Sequence, residues 1–556
     1  MTYTIDPQRL ARLNLQAEPA GGYRIVIPQR CNIAADTVGR WANSPRRDHP
    51  AMRFERADGS VHSWTFAEVD EQATRLAAYL AGLGVGRGSR VAVHMGMRPE
   101  TGVAHLAIYK LGAIGVTLSQ LYGSDTLAHI LNHSEATVIL TQDRAWAPLR
   151  GLPFPHLRHR IVVGEPAAGE VSFDDCLAAP APGFVPADTQ ADEPALLMYT
   201  SGSTGLPKGI LHGHRILQAY VPSLSLTYNL DVDGDDLVFW SPADWAWVGG
   251  LLDLLLIAWA FGQTVATSEA RFEAEWAFGF MQRQGVTHSF QTPTALKRLA
   301  EISQPHQRWP DLKLRVVCTG GEALPGQVLQ WCQDELCIVC NEFYGLTEVN
   351  HLVGCCQALF PALPGSMGRA YPGHRTTVVD EDGNPVPVGE IGEVVTPLDD
   401  PTQFLGYWKD EHRTADLRLA GRWLRTHDLA RQDVNGYFWY HGRADDLIKS
   451  GGYRIGPAEV EDCLLTHPAV AEAAVVASPD AQRGHIVKAF VRLRESASAS
   501  AELTHALQDL VKTRLAAYKY PREVEYVDRF EMTSSGKINR KQLRAAEVAR
   551  KSGTTG

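Results

Sequence analysis

The sequence lacks the features of a secreted, disulfide-bonded protein. Its nine cysteines are an odd number without framework spacing, which predicts free thiols in a reducing compartment. Cys337 and Cys340 form a Cys-x-x-Cys pair, with Cys355, Cys356 and His351 downstream. A zinc site is one interpretation of this cluster. However, "LCIVCNEFYG" has the composition of a strand, and residues three apart on a strand point to opposite faces. We therefore predict that these cysteines are small buried side chains.

The sequence also lacks an excess of positive charge, a leader and a membrane-length apolar run. The net charge is −10, which favours neither nucleic acid nor an anionic membrane as a partner. The N-terminal residues contain no apolar segment followed by a cleavage site, which predicts a cytoplasmic location. The longest apolar run, residues 248–262, is too short to span a bilayer comfortably and includes Asp253. We predict a buried helix there.

Helices and strands alternate in the first part of the chain. A helix is predicted after a capping box formed by Thr65 and Glu68, and it ends in glycines. The strand "SRVAVHMG" and the helix "RPETGVAHLAIYKLG" follow, which is typical of a mostly parallel sheet. Residues 164–194 are rich in Pro, Ala and Asp and predict a surface excursion. A second α/β run comes next, and residues 365–424 then become rich in Val, Gly and Pro.

The pattern changes again near residue 445. A helix from Pro457, two strands, a helix from Glu502 and a last strand near residues 522–530 predict a compact α+β unit. The predicted fold class is therefore α/β. A large N-terminal domain, residues 1–444, contains two α/β subdomains and a small β-rich subdomain, and a small α+β C-terminal domain covers residues 445–556.

The glycine-rich stretch "YTSGSTGLPKG" begins at Tyr199 and predicts an anion site. A Walker loop is excluded because Pro207 precedes Lys208 and Gly209 follows it, and the spacing of the glycines excludes the dinucleotide fingerprint. The flanking segments "ALLMY" and "GILHG" indicate strand–loop–strand. Glycines let backbone N–H groups converge on an anion, while hydroxyl groups add donors and the lysine adds charge. The alternative is a flexible surface loop.

Other segments have the composition of nucleotide-binding loops. "EFYGLTEVN" places a hydroxyl beside a carboxylate, Thr347 and Glu348, which can serve a phosphate and its Mg²⁺ together. A glycine-rich run downstream carries Asp428 and Arg443, and "TSSGKINRK" places Lys537 beside a glycine. Each signal is weak alone, because such charged residues are usually solvated.

In this order and over this length, the segments resemble the acyl-adenylating superfamily of acyl-CoA synthetases, luciferases and peptide-synthetase adenylation domains. The resemblance covers residues 41–544, and "GRADDLIKSGGYRIGPAEVE", "HPAVAEAAVVASPDAQRG" and "YKYPR" are most similar to the medium-chain acyl-CoA synthetases. It implies an AMP-forming reaction in which a carboxylic acid and ATP give an acyl-adenylate that the CoA thiol then attacks. The implied acid is a medium-chain fatty or aryl acid. Mg²⁺ is an implied cofactor, the small domain rotates between the two steps, and a homo-oligomer is possible.

The resemblance assigns a role to each matching residue. ATP is expected to contact Thr200, Ser201, Gly202, Ser203, Thr204, Gly205, Leu206, Pro207, Lys208, Gly321, Glu342, Phe343, Tyr344, Gly345, Leu346, Thr347, Asp428, Arg443 and Lys537. CoA is expected to contact Gln120, Gly451, Gly452, Tyr453, Arg483, Tyr518, Lys519 and Tyr520. The acyl group is expected near Trp245, Trp247, Gly320, Gly345 and Arg454. Lys537, Thr347 and Glu348 are the implied catalytic residues, with Glu348 on Mg²⁺ and Asp445 as the hinge.

The sequence departs from the family pattern at a few positions. Leu346 stands where close relatives often carry glutamine, and "RFEMTSSGK" lacks the usual leucine–proline pair. Acetate-specific relatives carry a tryptophan at the position of Gly345, so a pocket open beyond two carbons is expected here. Two alternative functions remain. One is a stand-alone adenylating enzyme that passes the acyl group to an amine or a carrier protein, and the other is a catalytically silent nucleotide-binding protein.

Overall fold

The computed structural model describes residues 5–19, 21–178, 180–181, 183–200, 207–444, 446–450, 453–480, 483–533, 538–551 and 553. The strands in chain order are β1 Leu15–Ala17, β2 Tyr23–Ile25, β3 Pro50–Glu55, β4 Val61–Thr65, β5 Arg90–His94, β6 Ile114–Thr117, β7 Val138–Gln142, β8 His159–Val163, β9 Val171–Ser172, β10 Pro194–Thr200, β11 Lys208–Gly213, β12 Val238–Trp240, β13 Thr264–Ser268, β14 His288–Gln291, β15 Val316–Gly320, β16 Val339–Leu346, β17 Val349–Gly354, β18 Gly368–Ala370, β19 Thr377–Val379, β20 Ile391–Pro397, β21 Gly406–Tyr407, β22 Arg418–Leu419, β23 Trp423–Gln432, β24 Tyr437–Arg443, β25 Ile448–Ser450, β26 Tyr453–Ile455, β27 Val470–Asp480, β28 Gly484–Leu493 and β29 Glu523–Tyr526.

The α-helices in chain order are α1 Pro7–Leu10, α2 Arg40–Ala42, α3 Phe66–Gly82, α4 Pro99–Lys110, α5 Ser124–Ser134, α6 Asp143–Trp146, α7 Phe173–Ala178, α8 Arg215–Thr227, α9 Val248–Gly250, α10 Ile257–Ala260, α11 Ala274–Gln284, α12 Pro293–Leu299, α13 Pro305–Arg308, α14 Gly326–Asp334, α15 Glu411–Asp416, α16 Pro457–Leu465, α17 Ala501–Arg514 and α18 Arg540–Lys551. Two π-helical segments, Ala35–Gly39 and Leu251–Leu256, and one 3₁₀ turn, Ala147–Leu149, complete the helical structure of the described residues.

The first large sheet has eight strands in the order β21-β11-β10-β6-β5-β7-β8-β9. Its central strands run parallel and are mostly buried. The predicted capping box is confirmed, because Thr65 and Glu68 cap each other at the start of α3. This helix packs on α4, which is buried on all sides.

One segment of this first half differs from expectation. Residues 164–194 are not only a surface excursion, because β9 and α7 lie within them. Phe173 and Cys176 of α7 are buried, and the helix packs against α3. A helix this short carries too few apolar residues to produce a visible periodic pattern.

The second large sheet has fourteen strands, with the main order β19-β20-β23-β24-β18-β17-β16-β15-β14-β12-β13-β3-β4. Strands β13, β12, β14, β15 and β16 form its parallel part, and β17 onward is antiparallel. The β-rich segment expected around residues 365–424 is therefore a continuation of this sheet. Chain order is interleaved, since β3 and β4 belong to the second sheet and β21 returns to the first.

The long apolar run folds as predicted into a buried helical stretch, α9 to α10, with its π-helical segment in the middle. Asp253 lies in that segment and is 2% exposed. His351 places its Nε2 atom 3.0 Å from the Asp253 Oδ1 atom, and the amide of Asn350 donates to both oxygens of Asp253. Asn350 thus supplies the buried Asp253 side chain with hydrogen bonds, as burial of a polar group requires.

The C-terminal unit is a five-stranded sheet in which β26, β25, β28 and β27 are successive neighbours and β29 pairs with β28, and helices α16, α17 and α18 accompany it. Its first helix starts against β24: a Cβ atom added to Gly456 would lie 2.0 Å from the carbonyl oxygen of His441. Arg540 holds Glu461 of α16 through two hydrogen bonds of 2.9 and 2.6 Å. These features agree with the predicted α+β unit, while the boundary at residue 445 stays a prediction.

The prediction for the cysteines is confirmed with one exception. All of them are free thiols, and each is buried except Cys337, which lies before β16 with a φ of 51° and is exposed. Within the described ranges, no group of three or more His, Cys, Asp or Glu side chains is placed to hold a metal ion. None of the described helices combines the length and the apolar character that a bilayer span requires.

Candidate active site

The glycine-rich loop joins two antiparallel strands, as predicted. β10 ends at Thr200, β11 begins at Lys208, and these two residues are register partners. Ser201 to Leu206 lie outside the described residues. The structure therefore fixes the two ends of the loop side by side on neighbouring strands of the first sheet, and Lys208 is one of these ends.

Lys208 begins β11 of the first sheet and bonds Glu348, which lies between β16 and β17 of the second sheet. Its Nζ atom donates to the Glu348 Oε1 atom at 2.6 Å and to the Tyr407 hydroxyl at 2.7 Å, and that hydroxyl donates to the same carboxylate oxygen at 2.6 Å. Burial alone raises the pKa of Glu348, but the lysine and the two hydrogen bonds outweigh it and hold the pKa below its ordinary value. The carboxylate is therefore ionised and already has a cation beside it.

Thr347 is positioned through its backbone. Its carbonyl oxygen accepts a hydrogen bond of 2.8 Å from Nε2 of His212, which is fully buried on β11. Burial lowers the pKa of His212 to about 4, so the ring is neutral near pH 7 and Nε2 carries the proton. This bond ties the turn between β16 and β17 to the strand that begins with Lys208.

Asp428 of β23 is another carboxylate among the residues predicted to contact ATP. Its Oδ2 atom accepts from the Tyr344 hydroxyl at 2.7 Å, its Oδ1 atom accepts from the Tyr440 hydroxyl at 3.2 Å, and Arg443 Nη1 lies 3.8 Å from Oδ1. Asp428 and Arg443 are register partners across β23 and β24. Asp428 and Arg443 lie together, as expected, but the two tyrosine hydroxyls are the closer partners.

Glu342 of β16 bonds the segment "TGGEALP", residues 319–325. Its Oε1 atom accepts from the backbone N–H of Leu324 at 3.1 Å, and the side chain is 8% exposed. Burial raises the pKa of Glu342 to about 8, with Asp462 of α16 adding to the shift and the Leu324 bond opposing it. Gly321 follows β15 with a φ of 89°, a backbone conformation that favours glycine.

The two glycines expected near the acyl group are held by close packing. A Cβ atom on Gly320 would lie 2.7 Å from the ring of Phe343. A Cβ atom on Gly345 would lie 2.5 Å from the backbone nitrogen of His351 and 2.6 Å from Oδ1 of Asn350. Atoms of β17 therefore fill the space in the side-chain direction of Gly345, and an acyl pocket open beyond two carbons stays a prediction.

The other described residues that were predicted to contact substrates, and that lie outside the C-terminal unit, differ in exposure. Trp245 is fully buried in the main core, whereas Trp247 is half-buried and meets the ring of Tyr122 edge-on at 5.7 Å. Gln120 is exposed and donates to Gln142. The structure thus places Trp245 with the core aromatics and leaves Trp247 partly accessible.

The residues predicted to contact CoA in the C-terminal unit are mostly on its surface. Arg483 and Tyr518 are exposed, Tyr520 is half-buried, and Lys519 donates to Glu459 of α16 at 2.6 Å. Tyr453 and Arg454 lie on β26. Asp445, Gly451, Gly452 and Lys537 lie outside the described residues. The structure therefore does not place the implied hinge or the implied catalytic lysine.

Some site residues were not predicted from the sequence. Tyr407, Tyr440 and His212 all bond a predicted residue, and Tyr407 reaches Lys208 across 199 positions of sequence. The only local signal for Tyr407 is an aromatic pair after a glycine in "LGYWK", which core packing explains equally well.

Known proteins share both parts of this architecture. The family model of the AMP-binding enzymes matches residues 39–408, and the model of their C-terminal domain matches residues 459–537. An uncharacterized acyl–CoA ligase of Bacillus subtilis (strain 168), YtcI, is 35% identical over 499 residues, covering 89% of this chain and 93% of the relative. The mitochondrial acyl-coenzyme A synthetase ACSM4 of Rattus norvegicus is 32% identical over 561 residues, covering 98% and 96%.

A solved structure gives the same result. The anthranilate CoA ligase AuaEII in complex with anthranoyl-AMP superposes with a TM-score of 0.85 at 28% identity, over 95% of this chain and 99% of the ligase. This chain belongs to the AMP-binding enzyme family. The predicted resemblance to the acyl-adenylating superfamily, close to the medium-chain acyl-CoA synthetases, and the predicted fold class are confirmed.

Proposed function

We propose that this chain is an AMP-forming acyl-CoA synthetase, which joins a carboxylic acid to CoA with ATP through an acyl-adenylate. The observation that carries this proposal is the pairing of Lys208 with Glu348 at 2.6 Å beside the glycine-rich loop. Asp428, held by two tyrosine hydroxyls, lies on β23, in the same sheet as the two strands that flank Glu348. A cation for polyphosphate and a fixed carboxylate for ribose hydroxyls are the groups that ATP requires.

Glu348 suits a divalent cation. Its carboxylate is buried, ionised and already beside the positive charge of Lys208. Among the described residues it has no cluster of further acidic ligands, so other ligands of a bound Mg²⁺ are expected from the phosphates, as is usual for this ion. Glu348 would hold this Mg²⁺, which would supply positive charge to balance the departing pyrophosphate.

The protein's own groups act mainly by positioning and by stabilising charge. Lys208 binds phosphate oxygens, Asp428 holds the ribose, and Thr347 lies beside the α-phosphate. We assign Lys537 to the acyl oxygen and the α-phosphate in the first step. The acyl-adenylate reacts readily with water, so the small domain must keep the site closed until CoA arrives, and Asp445 is the proposed hinge.

The acid is proposed to be a medium-chain fatty or aryl acid. The name of the anthranilate CoA ligase supports the aryl part of this range, and half-buried Trp247 offers an aromatic wall beside Tyr122. CoA is proposed to contact the exposed Arg483 and the 518–520 segment, since its phosphates favour Arg and Lys. A cytoplasmic location and a homo-oligomer stay predictions from the sequence.

The test separates the two half-reactions with Lys537→Ala. Pyrophosphate exchange with ATP and acid should fall by about 10²–10³, because one preorganised charge is lost from the first transition state. Thioester formation from preformed acyl-adenylate and CoA should change little. Equal losses in both assays would contradict a role confined to adenylation.

The identity of the acid and of the acceptor is tested with the wild type. A panel of straight-chain, branched and aryl acids is assayed by pyrophosphate exchange, and the best acids are then tested for release of AMP with and without CoA. AMP release that depends on an added amine instead of CoA would favour the stand-alone adenylating enzyme. Absence of exchange with every acid would favour a catalytically silent protein.

A further inference from the structure

Residues 404–408, which include the edge strand β21 of the first sheet, form hydrogen bonds with both large sheets at the proposed nucleotide site. β21 pairs antiparallel with β11, and the backbone N–H of Trp408 donates to the carbonyl of Gly209 at 2.8 Å. On its other side, the N–H of Phe404 donates to the carbonyl oxygen of Glu348 at 2.9 Å. The segment therefore binds the backbone beside Lys208 and the backbone of Glu348 at once.

Tyr407 connects Lys208 and Glu348 through its side chain as well. Its hydroxyl donates to Oε1 of Glu348 at 2.6 Å and accepts from Nζ of Lys208 at 2.7 Å. The Lys208 ammonium also lies 4.4 Å from the centre of the tyrosine ring. The side chain is 7% exposed, so the hydroxyl is enclosed with both charges. A phenylalanine would fill the same core space, but it has no hydroxyl to bond the two ions.

We propose that Tyr407 is a positioning residue that keeps Glu348 aimed at the phosphates when ATP draws Lys208 away. In the free protein, Lys208 and Glu348 neutralise each other. A nucleotide offers phosphate oxygens to the ammonium group, so the lysine leaves and the carboxylate becomes available to a divalent cation. The hydroxyl of Tyr407 remains on Oε1 and fixes the carboxylate. This inference rests on the proposed binding of Mg²⁺ at Glu348.

The experiment measures binding without turnover. ATP is titrated calorimetrically into full-length protein, without acid or CoA, once with excess MgCl₂ and once with EDTA. The ratio of the two dissociation constants gives the gain in ATP affinity from Mg²⁺. In Tyr407→Phe this gain should shrink by about tenfold, the size of one lost hydrogen bond to a charged group. The affinity in EDTA should stay the same or rise, because Lys208 has lost a competing partner.

Tyr437→Phe is the matched control. Its hydroxyl donates to the carbonyl of Pro361 at 2.8 Å, away from the site, and its ring is buried. This control should lose a similar amount of thermal stability and keep the full gain from Mg²⁺. In the half-reactions, Tyr407→Phe should slow pyrophosphate exchange about tenfold and leave thioester formation from preformed adenylate unchanged.

The outcomes are distinct. If Tyr407→Phe keeps the full gain from Mg²⁺ while its stability falls as in the control, the hydroxyl is structural and the inference is wrong. If the wild type itself gains no affinity from Mg²⁺, the proposed role of Glu348 fails, and the role of Tyr407 fails with it. Intact pyrophosphate exchange in that second case would still support the proposed synthetase reaction.

Discussion

Glu342 offers a direct test of the electrostatics beside the nucleotide site. Its carboxyl group is buried, has one backbone donor from Leu324, and has a pKa raised to about 8 from an ordinary 4.5, chiefly by burial. The side chain is therefore mostly protonated near pH 7. Glu342→Gln replaces it with a neutral group of the same shape that keeps an acceptor oxygen for Leu324.

The expected magnitude follows from proton linkage. Between pH 4.5 and about 8 the folded protein holds a proton on Glu342 that the unfolded chain has released. The stability from this group is fully present below pH 4.5 and is lost as pH rises through the folded pKa. The maximal slope is about 1.4 kcal/mol per pH unit, and the total over the window is on the order of 3–5 kcal/mol. Glutamine has no such dependence.

The assay compares the urea-unfolding midpoints of the wild type and Glu342→Gln between about pH 5.5 and 8.5. The variant should be no more stable than the wild type at the acid end and clearly more stable at the alkaline end. Glu390→Gln, a change at an exposed loop residue, should follow the wild type throughout. Parallel curves for Glu342→Gln and wild type would refute a neutral buried carboxyl group at this position.

Two further predictions concern Gly345 of β16 and Asp428 of β23, which both belong to the second sheet. Gly345→Ala should destabilise the protein by about 1–3 kcal/mol and reduce activity equally with short and long acids, because its methyl group would meet the backbone of His351 at 2.5 Å. The thermal midpoint and kcat/KM for acetate and octanoate measure these effects, and Gly82→Ala on α3, with open space around it, is the control. A selective loss of activity with long acids would contradict the packing argument. Asp428→Asn should raise the KM for ATP about tenfold to a hundredfold, because a charged acceptor is lost, and an unchanged KM at normal stability would remove Asp428 from the ATP site.

The sequence predicted the elements well where local chemistry specifies them. The capping box of Thr65 and Glu68, the strand–loop–strand around the glycine-rich loop and the two strands after the helix from Pro457 each depend on neighbouring residues, and each is confirmed. The helix α7 was missed because only two of its residues are buried.

The site was predicted as residue types, but not as contacts. Family resemblance supplied Lys208, Glu348 and Asp428, and the structure brings the first two together from different sheets. Tyr407 escaped prediction because its contact with Lys208 joins strands that are distant in sequence, which no local pattern encodes, and Tyr440 because its hydroxyl reaches Asp428 only through the pairing of β23 with β24. The filled space beyond Gly345 was missed for the same reason, since β17 supplies the atoms that occupy it.

The interleaved order of the strands has a consequence during synthesis on the ribosome. The hairpin of β3 and β4 is complete at Thr65, but its partner β13 starts only at Thr264. At roughly 5–20 residues per second, the hairpin waits about 10–40 s with an unpaired edge. Arg53 and Glu55 lie on this hairpin and later bond residues of α11. Until then, their charges protect the nascent edge from pairing with another chain.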